Sequence, residues 1–220
     1  MASYSVIITA GGIGKRMNST LPKQFIPVKE KPILMRTIEQ FYQFDPHVQI
    51  ILTLPDEWKG FWEALALEND FTIPHRVISG GKERYDSVKS ALDFCLNEYI
   101  VVHDGVRPIV SFGTLKNCFE AIKNHDAVIP VLPISESVRI KDGNTTKAVD
   151  RSNYMLVQTP QCFRKSVLVK AYEQPYHAGI TDDATLVESA GYSITTVEGN
   201  PENIKITNQS DLKYAEGILK

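Results

Sequence analysis

Cysteine is scarce in this chain, and the three present, Cys95, Cys118 and Cys162, stand far apart with no Cys-x-x-Cys pair and no histidine at ligand spacing. Neither a disulfide framework nor a zinc site can be read from them, so they are expected to be plain buried thiols. Long apolar runs are also missing: no stretch approaches the ~20 residues that span a bilayer, and no basic segment leads into an apolar one near the N-terminus. The expectation is a soluble, cytoplasmic protein with no membrane partner. Charge of one sign is lacking too. Against 24 Lys and Arg stand 26 Asp and Glu, a formal net charge of -2, so no global basic field recruits nucleic acid and any phosphate chemistry must come from local clustering.

Core material is present: 43% of the 220 residues are hydrophobic, enough for one domain over residues 1–220. β-branched runs at Ser5 to Thr9, Gln49 to Leu54, His75 to Ile78, Tyr99 to His103, Ala127 to Val131 and Ser193 to Glu198 predict strands. Helical patterns lie between or after them at Ile33 to Phe44, Glu57 to Glu68, Arg84 to Leu96, Phe112 to Asn124, Lys165 to Tyr172, Asp183 to Ala190 and Ser210 to Leu219. This alternation predicts an α/β fold with a mostly parallel sheet flanked by helices, whose ligand lies beyond the carboxyl ends of the strands. Residues 133–158 break the rhythm. Val138-Arg139-Ile140-Lys141 alternates, Asp142-Gly143-Asn144 supplies a turn and Thr145 to Val149 returns, which predicts a protruding β-arm. A two-stranded hairpin is marginal alone, so the arm is expected to pack against a partner chain in a homodimer.

The most informative stretch is Ile7-Ile8-Thr9-Ala10-Gly11-Gly12-Ile13-Gly14-Lys15-Arg16-Met17, followed by Pro22-Lys23-Gln24. A strand empties into a glycine cluster, which lets backbone N–H groups approach phosphate oxygens, and Lys15, Arg16 and Lys23 then supply charge. It is not a Walker A loop: Thr9 stands where the first glycine is needed, and Lys15 is followed by Arg16 rather than Ser or Thr. The dinucleotide fingerprint fails as well, because Met17 occupies the place of its third glycine.

Three further clusters follow. Asp104, just past the strand ending at His103, is a candidate for a magnesium ion riding on phosphates, or else a turn aspartate before Gly105. Arg107 suits bidentate phosphate recognition or a structural carboxylate. Gly80-Gly81 with Arg84 and Ser87 reads either as a nucleobase-reading turn or as a helix N-cap with acidic first-turn residues. Nearer the C-terminus, Thr159-Pro160-Gln161, Thr181-Asp182-Asp183-Ala184 and the segment around Lys205 are polar clusters that fit either site-lining loops or ordinary turns and caps.

In order and from end to end, Ala10-Gly11-Gly12-x-Gly14-x-Arg16-Met17, Pro22-Lys23-Gln24, Gly80-Gly81-x-x-Arg84-x-x-Ser87, His103-Asp104-x-x-Arg107-Pro108, Thr159-Pro160-Gln161, Thr181-Asp182-Asp183-Ala184 and Asn203-Ile204-Lys205-Ile206-Thr207 resemble the 2-C-methyl-D-erythritol 4-phosphate cytidylyltransferases. The resemblance implies a Rossmann-like nucleotidyltransferase that joins CTP to a methylerythritol phosphate with release of pyrophosphate, in the non-mevalonate route to isoprenoid precursors. It implies that Arg16 and Lys23 hold the triphosphate and stabilise the transition state, with Lys205 as a third catalytic cation. Ala10, Gly11, Gly12 and Gly14, together with Gly80, Gly81, Arg84 and Ser87, would enclose the nucleotide. Asp104 would hold Mg²⁺ and touch both substrates; Gly105, Arg107, Thr159 and Lys205 would contact the polyol phosphate. Ser137 and Arg151, on the arm, match positions that reach the other subunit's site.

Two departures from the family pattern, Gly105-Val106 in place of two alanines and Ser137 in place of threonine, keep small size and the hydroxyl respectively. A sister family that makes CDP-ribitol from ribitol 5-phosphate shares the opening loop, Pro-Lys-Gln and Thr-Pro-Gln. Arg84-Tyr85-Asp86-Ser87, Val149-Asp150-Arg151-Ser152 and Asp183 to Glu188 look more like the methylerythritol enzymes. A non-catalytic nucleotide sensor on the same fold would be expected to have lost Lys23, Asp104 or Lys205, and all three are present.

Overall fold

A computed structural model describes residues 4–12 and 21–219. The chain opens with β1 (Tyr4–Thr9), a single 3₁₀ turn (Lys23–Phe25), and the short pair β2 (Pro27–Val28) and β3 (Lys31–Pro32). Then follow α1 (Ile33–Phe44), β4 (Gln49–Leu54), α2 (Asp56–Glu68), β5 (Arg76–Ser79), α3 (Arg84–Leu92), β6 (Tyr99–Asp104), α4 (Phe112–Ala121) and β7 (Ala127–Pro133). The hairpin β8 (Val138–Asp142) and β9 (Thr145–Val149) leads through a 3₁₀ turn to β10 (Met155–Val157) and β11 (Gln161–Arg164). The C-terminal part holds α5 (Lys165–Ala171), α6 (Asp183–Ser189), β12 (Thr195–Glu198) and α7 (Gln209–Ile218).

β1 is apolar along most of its length because it is covered on both faces, the pattern of a central parallel strand. It pairs in parallel with β4 and with β6, and β4 in turn with β5. Its alternate side chains divide between two cores. Val6 and Ile8 join Leu34, Met35, Ile38 and Phe41 of α1, Trp62 of α2 and Leu115 and Phe119 of α4. Ile7 points the other way, to Val88 and Ala91 of α3, Leu168 of α5 and Leu186 and Val187 of α6. The predicted mostly parallel sheet with helices on both faces is therefore present.

The strand β11 was not predicted from the sequence; it runs antiparallel to both β6 and β7. Val131 of β7 pairs with Val157 of β10 and Glu198 of β12, and Val128 pairs with Cys162 and Thr195. β10 and β11 thus follow one another along one edge of β7, interrupted at Gln158 to Pro160, and β12 lies along the other. The Thr159–Pro160 peptide in that interruption is cis. Within the predicted excursion 133–158, β8 and β9 form a separate two-stranded sheet, with Val138 opposite Val149 and Asp142 opposite Thr145, whereas Met155–Val157 rejoins the main sheet beside β7. Among the described residues, no helix is long and apolar enough to cross a membrane.

Candidate active site

The carboxyl ends of β1, β4, β5 and β6 open onto one edge of the sheet. Past β1, the Ala10 N–H donates to the Thr53 carbonyl at 3.1 Å, and the Ala10 carbonyl accepts from Gln24 Nε2 at 2.6 Å. Buried Gln24 thereby fixes the Pro22-Lys23-Gln24 turn against the glycine loop. Lys23, buried as well, donates from Nζ to the Ile206 carbonyl at 3.0 Å, which seats it beside the segment carrying Lys205. Gly14 and Arg16 lie outside the described residues.

The second glycine turn follows β5. The Gly80 N–H donates to the Leu54 carbonyl at 2.6 Å, and the Gly81 N–H to Ser87 Oγ at 3.0 Å. The Ser87 hydroxyl then donates to the Glu83 carbonyl at 3.1 Å, while Glu83 and Asp86 form a reciprocal capping box at the start of α3. This turn is therefore the helix cap that the sequence allowed, and it also lines a cavity. A Cβ on Gly81 would stand 2.1 Å from Asp86 Cβ, so only glycine fits. Gly105 is tightly but less severely confined, its absent Cβ falling 3.0 Å from Leu34 Cδ1 and 3.1 Å from Ala10 Cβ; it packs behind the site rather than facing it.

A cavity of about 380 Å³ joins these loops, lined by Ala10, Gly11, Gly12, Lys23, Gly81, Arg84, Ser87, Asp104 and Lys205. A second, of about 220 Å³, shares Arg84, Asp104 and Lys205 and adds Arg107, Gln158, Thr159 and Thr181. Asp104 is the hinge of the two. Its Oδ2 accepts from Arg107 Nε at 2.9 Å and lies 3.2 Å from Lys205 Nζ, and its Oδ1 lies 3.7 Å from Arg84 Nε. Burial pushes the Asp104 carboxyl up, but Lys205, Arg84 and Arg107 together outweigh it and hold the group well below the usual carboxylate range. Arg84 in turn places Nη2 2.6 Å from Asp183 Oδ2. Three cations thus face two carboxylates, leaving a positive balance for an anionic ligand.

Behind this wall lies fully buried His103, whose ring meets Phe41 edge-on at 4.9 Å. Burial pushes its pKa down to about 4. The Thr159 hydroxyl accepts from the Asp104 N–H at 3.2 Å and lies 3.0 Å from His103 Nδ1, while His103 Nε2 lies 3.1 Å from the Arg107 carbonyl. A neutral ring satisfies all of these if Nε2–H donates to Arg107 and Nδ1 accepts from Thr159. Thr159 lines the second cavity, yet its hydroxyl is spent on holding Asp104 and His103. Buried Asn203 donates to the Thr159 carbonyl at 2.7 Å and accepts on its own carbonyl from Arg107 Nη1 at 2.8 Å, tying the Lys205 segment to the same wall.

The arm residues stand elsewhere. Arg151 donates to the Ser135 carbonyl and lines a separate hollow with Met155 and Val197, and neither it nor Ser137 lines the two joined cavities. His103, Asn203 and Asp183 stand within motifs quoted from the sequence, but none was given a site role of its own. Asp183 was hidden by its neighbour: Asp182 is the N-cap of α6, and nothing in Asp182-Asp183 tells which carboxylate turns inward.

The family model for 2-C-methyl-D-erythritol 4-phosphate cytidylyltransferase matches residues 4–220. The chain belongs to this family. A Bacteroides fragilis protein of that description is 47% identical over 216 residues, covering 98% of this chain and 99% of the relative, and a Phocaeicola vulgatus one is 46% identical over 215 residues, covering 97% and 98%. Among solved structures, the cytidylyltransferase from Thermus thermophilus is 30% identical with a TM-score of 0.81, covering 99% of this chain and 98% of that one. The 4-diphosphocytidyl-2C-methyl-D-erythritol synthase from Anaerococcus prevotii is 26% identical with a TM-score of 0.84, covering 98% and 95%. The family match thus spans nearly the whole chain, residues 4–220.

Proposed function

We propose that this member of the family transfers the cytidylyl group of CTP to 2-C-methyl-D-erythritol 4-phosphate and releases pyrophosphate, a step of the non-mevalonate isoprenoid route. The observation that carries the reading is the pair of joined cavities sharing the Arg84, Asp104 and Lys205 wall. The larger takes the nucleotide against Ala10, Gly11, Gly12, Gly81 and Ser87, and the smaller takes the polyol phosphate against Arg107 and Thr159.

An oxygen of the acceptor phosphate attacks the α-phosphorus of CTP in line; a new P–O bond forms and the bond to the β-phosphate oxygen breaks. The nucleophile is already an anion, so no base has to take a proton. The arrangement of His103 agrees with that, since both its ring nitrogens face inward to Arg107 and Thr159. What remains is to hold two anionic groups together and offset their repulsion. Lys23 and Lys205, with Arg16, supply that charge, and the Lys23 contact to Ile206 keeps the two lysines on one wall.

No group of three or more His, Cys, Asp or Glu side chains among the described residues forms a metal cage. A magnesium ion brought in on the triphosphate needs only one or two protein carboxylates. Asp104 fits, through Oδ1, which Arg84 approaches only to 3.7 Å. The ion would neutralise phosphate charge there.

The reading extends to a homodimer. Met155, Leu156 and Val157 of β10 are exposed, as are Tyr154 and Ile140, and Arg151 and Ser137 are remote from their own site, as residues serving a partner's site would be. Incubating the purified protein with CTP, Mg²⁺ and either methylerythritol 4-phosphate or ribitol 5-phosphate, and following pyrophosphate, tests the substrate assignment. Preferential turnover of the ribitol compound would overturn it.

A further inference from the structure

Among the described residues, Arg84 alone borders the nucleotide cavity, the acceptor cavity and a third, small hollow of about 90 Å³ against Tyr172 and Asp183. A guanidinium is planar and offers donors on two edges, so its direction is set by what each edge meets. Here Nε faces Asp104 at 3.7 Å and Nη2 meets Asp183 at 2.6 Å. Asp183 is fully buried. Its Oδ1 accepts from the Tyr172 hydroxyl at 2.5 Å, and its Oδ2 has Arg84 as its charge partner in a contact that is off the direction of a hydrogen bond. A buried ionised carboxylate is costly unless a cation lies against it. Burial opposes the charge on Arg84 too, yet Asp183 and Asp104 hold its guanidinium protonated far above the usual range.

The carboxylate is itself rigidly placed. It sits in the first turn of α6, whose N-cap Asp182 accepts from the Thr185 N–H. Gln161 of β11 braces that end from below: its Nε2 donates to Asp182 Oδ2 at 2.7 Å and its Oε1 accepts from the Ala184 N–H at 3.1 Å. Arg84 is thus shared between a fixed carboxylate behind the site and a carboxylate inside it.

We propose that Asp183 is a positioning residue for cytidylyl transfer: it draws Arg84 back from Asp104, so that Arg107 and Lys205 keep Asp104 and the acceptor phosphate is received between them. This rests on the functional reading above. Without the Asp183 charge, Arg84 has Asp104 as its one remaining carboxylate and closes on it, displacing Lys205 and Arg107 from their places on the acceptor side. The glycine loops, Lys23 and Ser87 on the far side of the nucleotide cavity touch neither carboxylate and keep their places.

The test is steady-state kinetics on Asp183→Asn, Arg84→Lys and the double variant, with thermal melting of each and a crystal structure of Asp183→Asn. Asparagine keeps the shape and the Tyr172 hydrogen bond but not the charge; lysine keeps the charge but cannot span two carboxylates. The acceptor KM is expected to rise about tenfold or more in each single variant, the CTP KM of Asp183→Asn is expected to stay within about twofold, and the double variant is expected to be no worse than the poorer single one. In the crystal, Arg84 should lie closer to Asp104 than in the wild type. A merely structural role would instead lower the melting temperature and the active fraction with both KM values unchanged. That pattern, additive losses in the double variant, or an unmoved Arg84 would overturn the proposal. Wild-type enzyme that fails to use methylerythritol phosphate would refute the functional reading instead, and the Arg84 position in the crystal still decides the role of Asp183.

Discussion

Replacing Asp104 with asparagine removes one negative charge from beneath three cations while keeping the shape of the side chain. At an effective dielectric near 20, cations at 2.9, 3.2 and 3.7 Å each attract the carboxylate by about 5 kcal/mol. Much of that is cancelled by the several kcal/mol needed to take the carboxylate out of water, and the Lys205 share is screened because its side chain is 44% exposed. Removing one member of a buried pair costs about 3–5 kcal/mol, and asparagine retains an acceptor for Arg107, so about 3 kcal/mol is expected. For a chain of this length that is a fall of roughly 6–12 °C in melting temperature. Because the folded-state pKa of Asp104 is lowered, its contribution is present above the ordinary carboxylate pKa and is lost as pH falls through the lowered value. The gap between wild type and variant should therefore be constant from about pH 8 to 5 and narrow below about pH 4. The assay is scanning fluorimetry in EDTA across that range, with and without pyrophosphate. Pyrophosphate should stabilise the variant more than the wild type, since Arg107 and Lys205 there lose their carboxylate and only Arg84 keeps one, Asp183. A variant that melts within about 2 °C of wild type, or gains less from pyrophosphate, would refute the charge account.

Lys23→Ala should lower kcat by about 10²–10³-fold while the CTP KM changes only a few-fold, as for loss of a group that acts mainly in the transition state; equal changes in both would contradict that role. Gly81→Ala, which drives a methyl into Asp86 Cβ, should break the Gly81 to Ser87 hydrogen bond and the α3 cap, about 2 kcal/mol together, visible as a lower melting temperature and a raised CTP KM. Leu156→Asp on β10 should give a monomer by analytical ultracentrifugation. If the arm serves the partner's site, mixing Arg151→Ala with Lys205→Ala subunits should restore activity through one intact site per dimer, and no recovery in exchanged dimers would sink that assignment.

Elements with one unambiguous period were legible in the sequence. Tyr4 to Thr9 and Ile33 to Phe44 carry a buried-strand run and an amphipathic stripe, and both formed with bounds close to those expected. β11 was not legible: four residues of mixed polarity after Pro160 have no pattern of their own and become a strand because β6 and β7 leave a slot between them. At the site, residue types with charge to offer were identified: Lys23 beside the glycine loop, Asp104 and Arg107 past a strand end, and Lys205 through the family resemblance. Their supports were not. Ser87 and Thr159 were identified as site residues, yet both hydroxyls are committed to the scaffold. Asp183 and Asn203 act from full burial at a distance in sequence that no local spacing encodes.

In the proposed reaction the acceptor phosphate attacks the α-phosphorus of CTP. Acceptor carrying ¹⁸O throughout its phosphate group, turned over with unlabelled CTP and followed by ³¹P NMR and mass spectrometry, tests it most directly. The expected product is a CDP-linked polyol whose bridging oxygen is ¹⁸O, with pyrophosphate free of label. Label in the pyrophosphate, or an unlabelled bridge in the product, would contradict it.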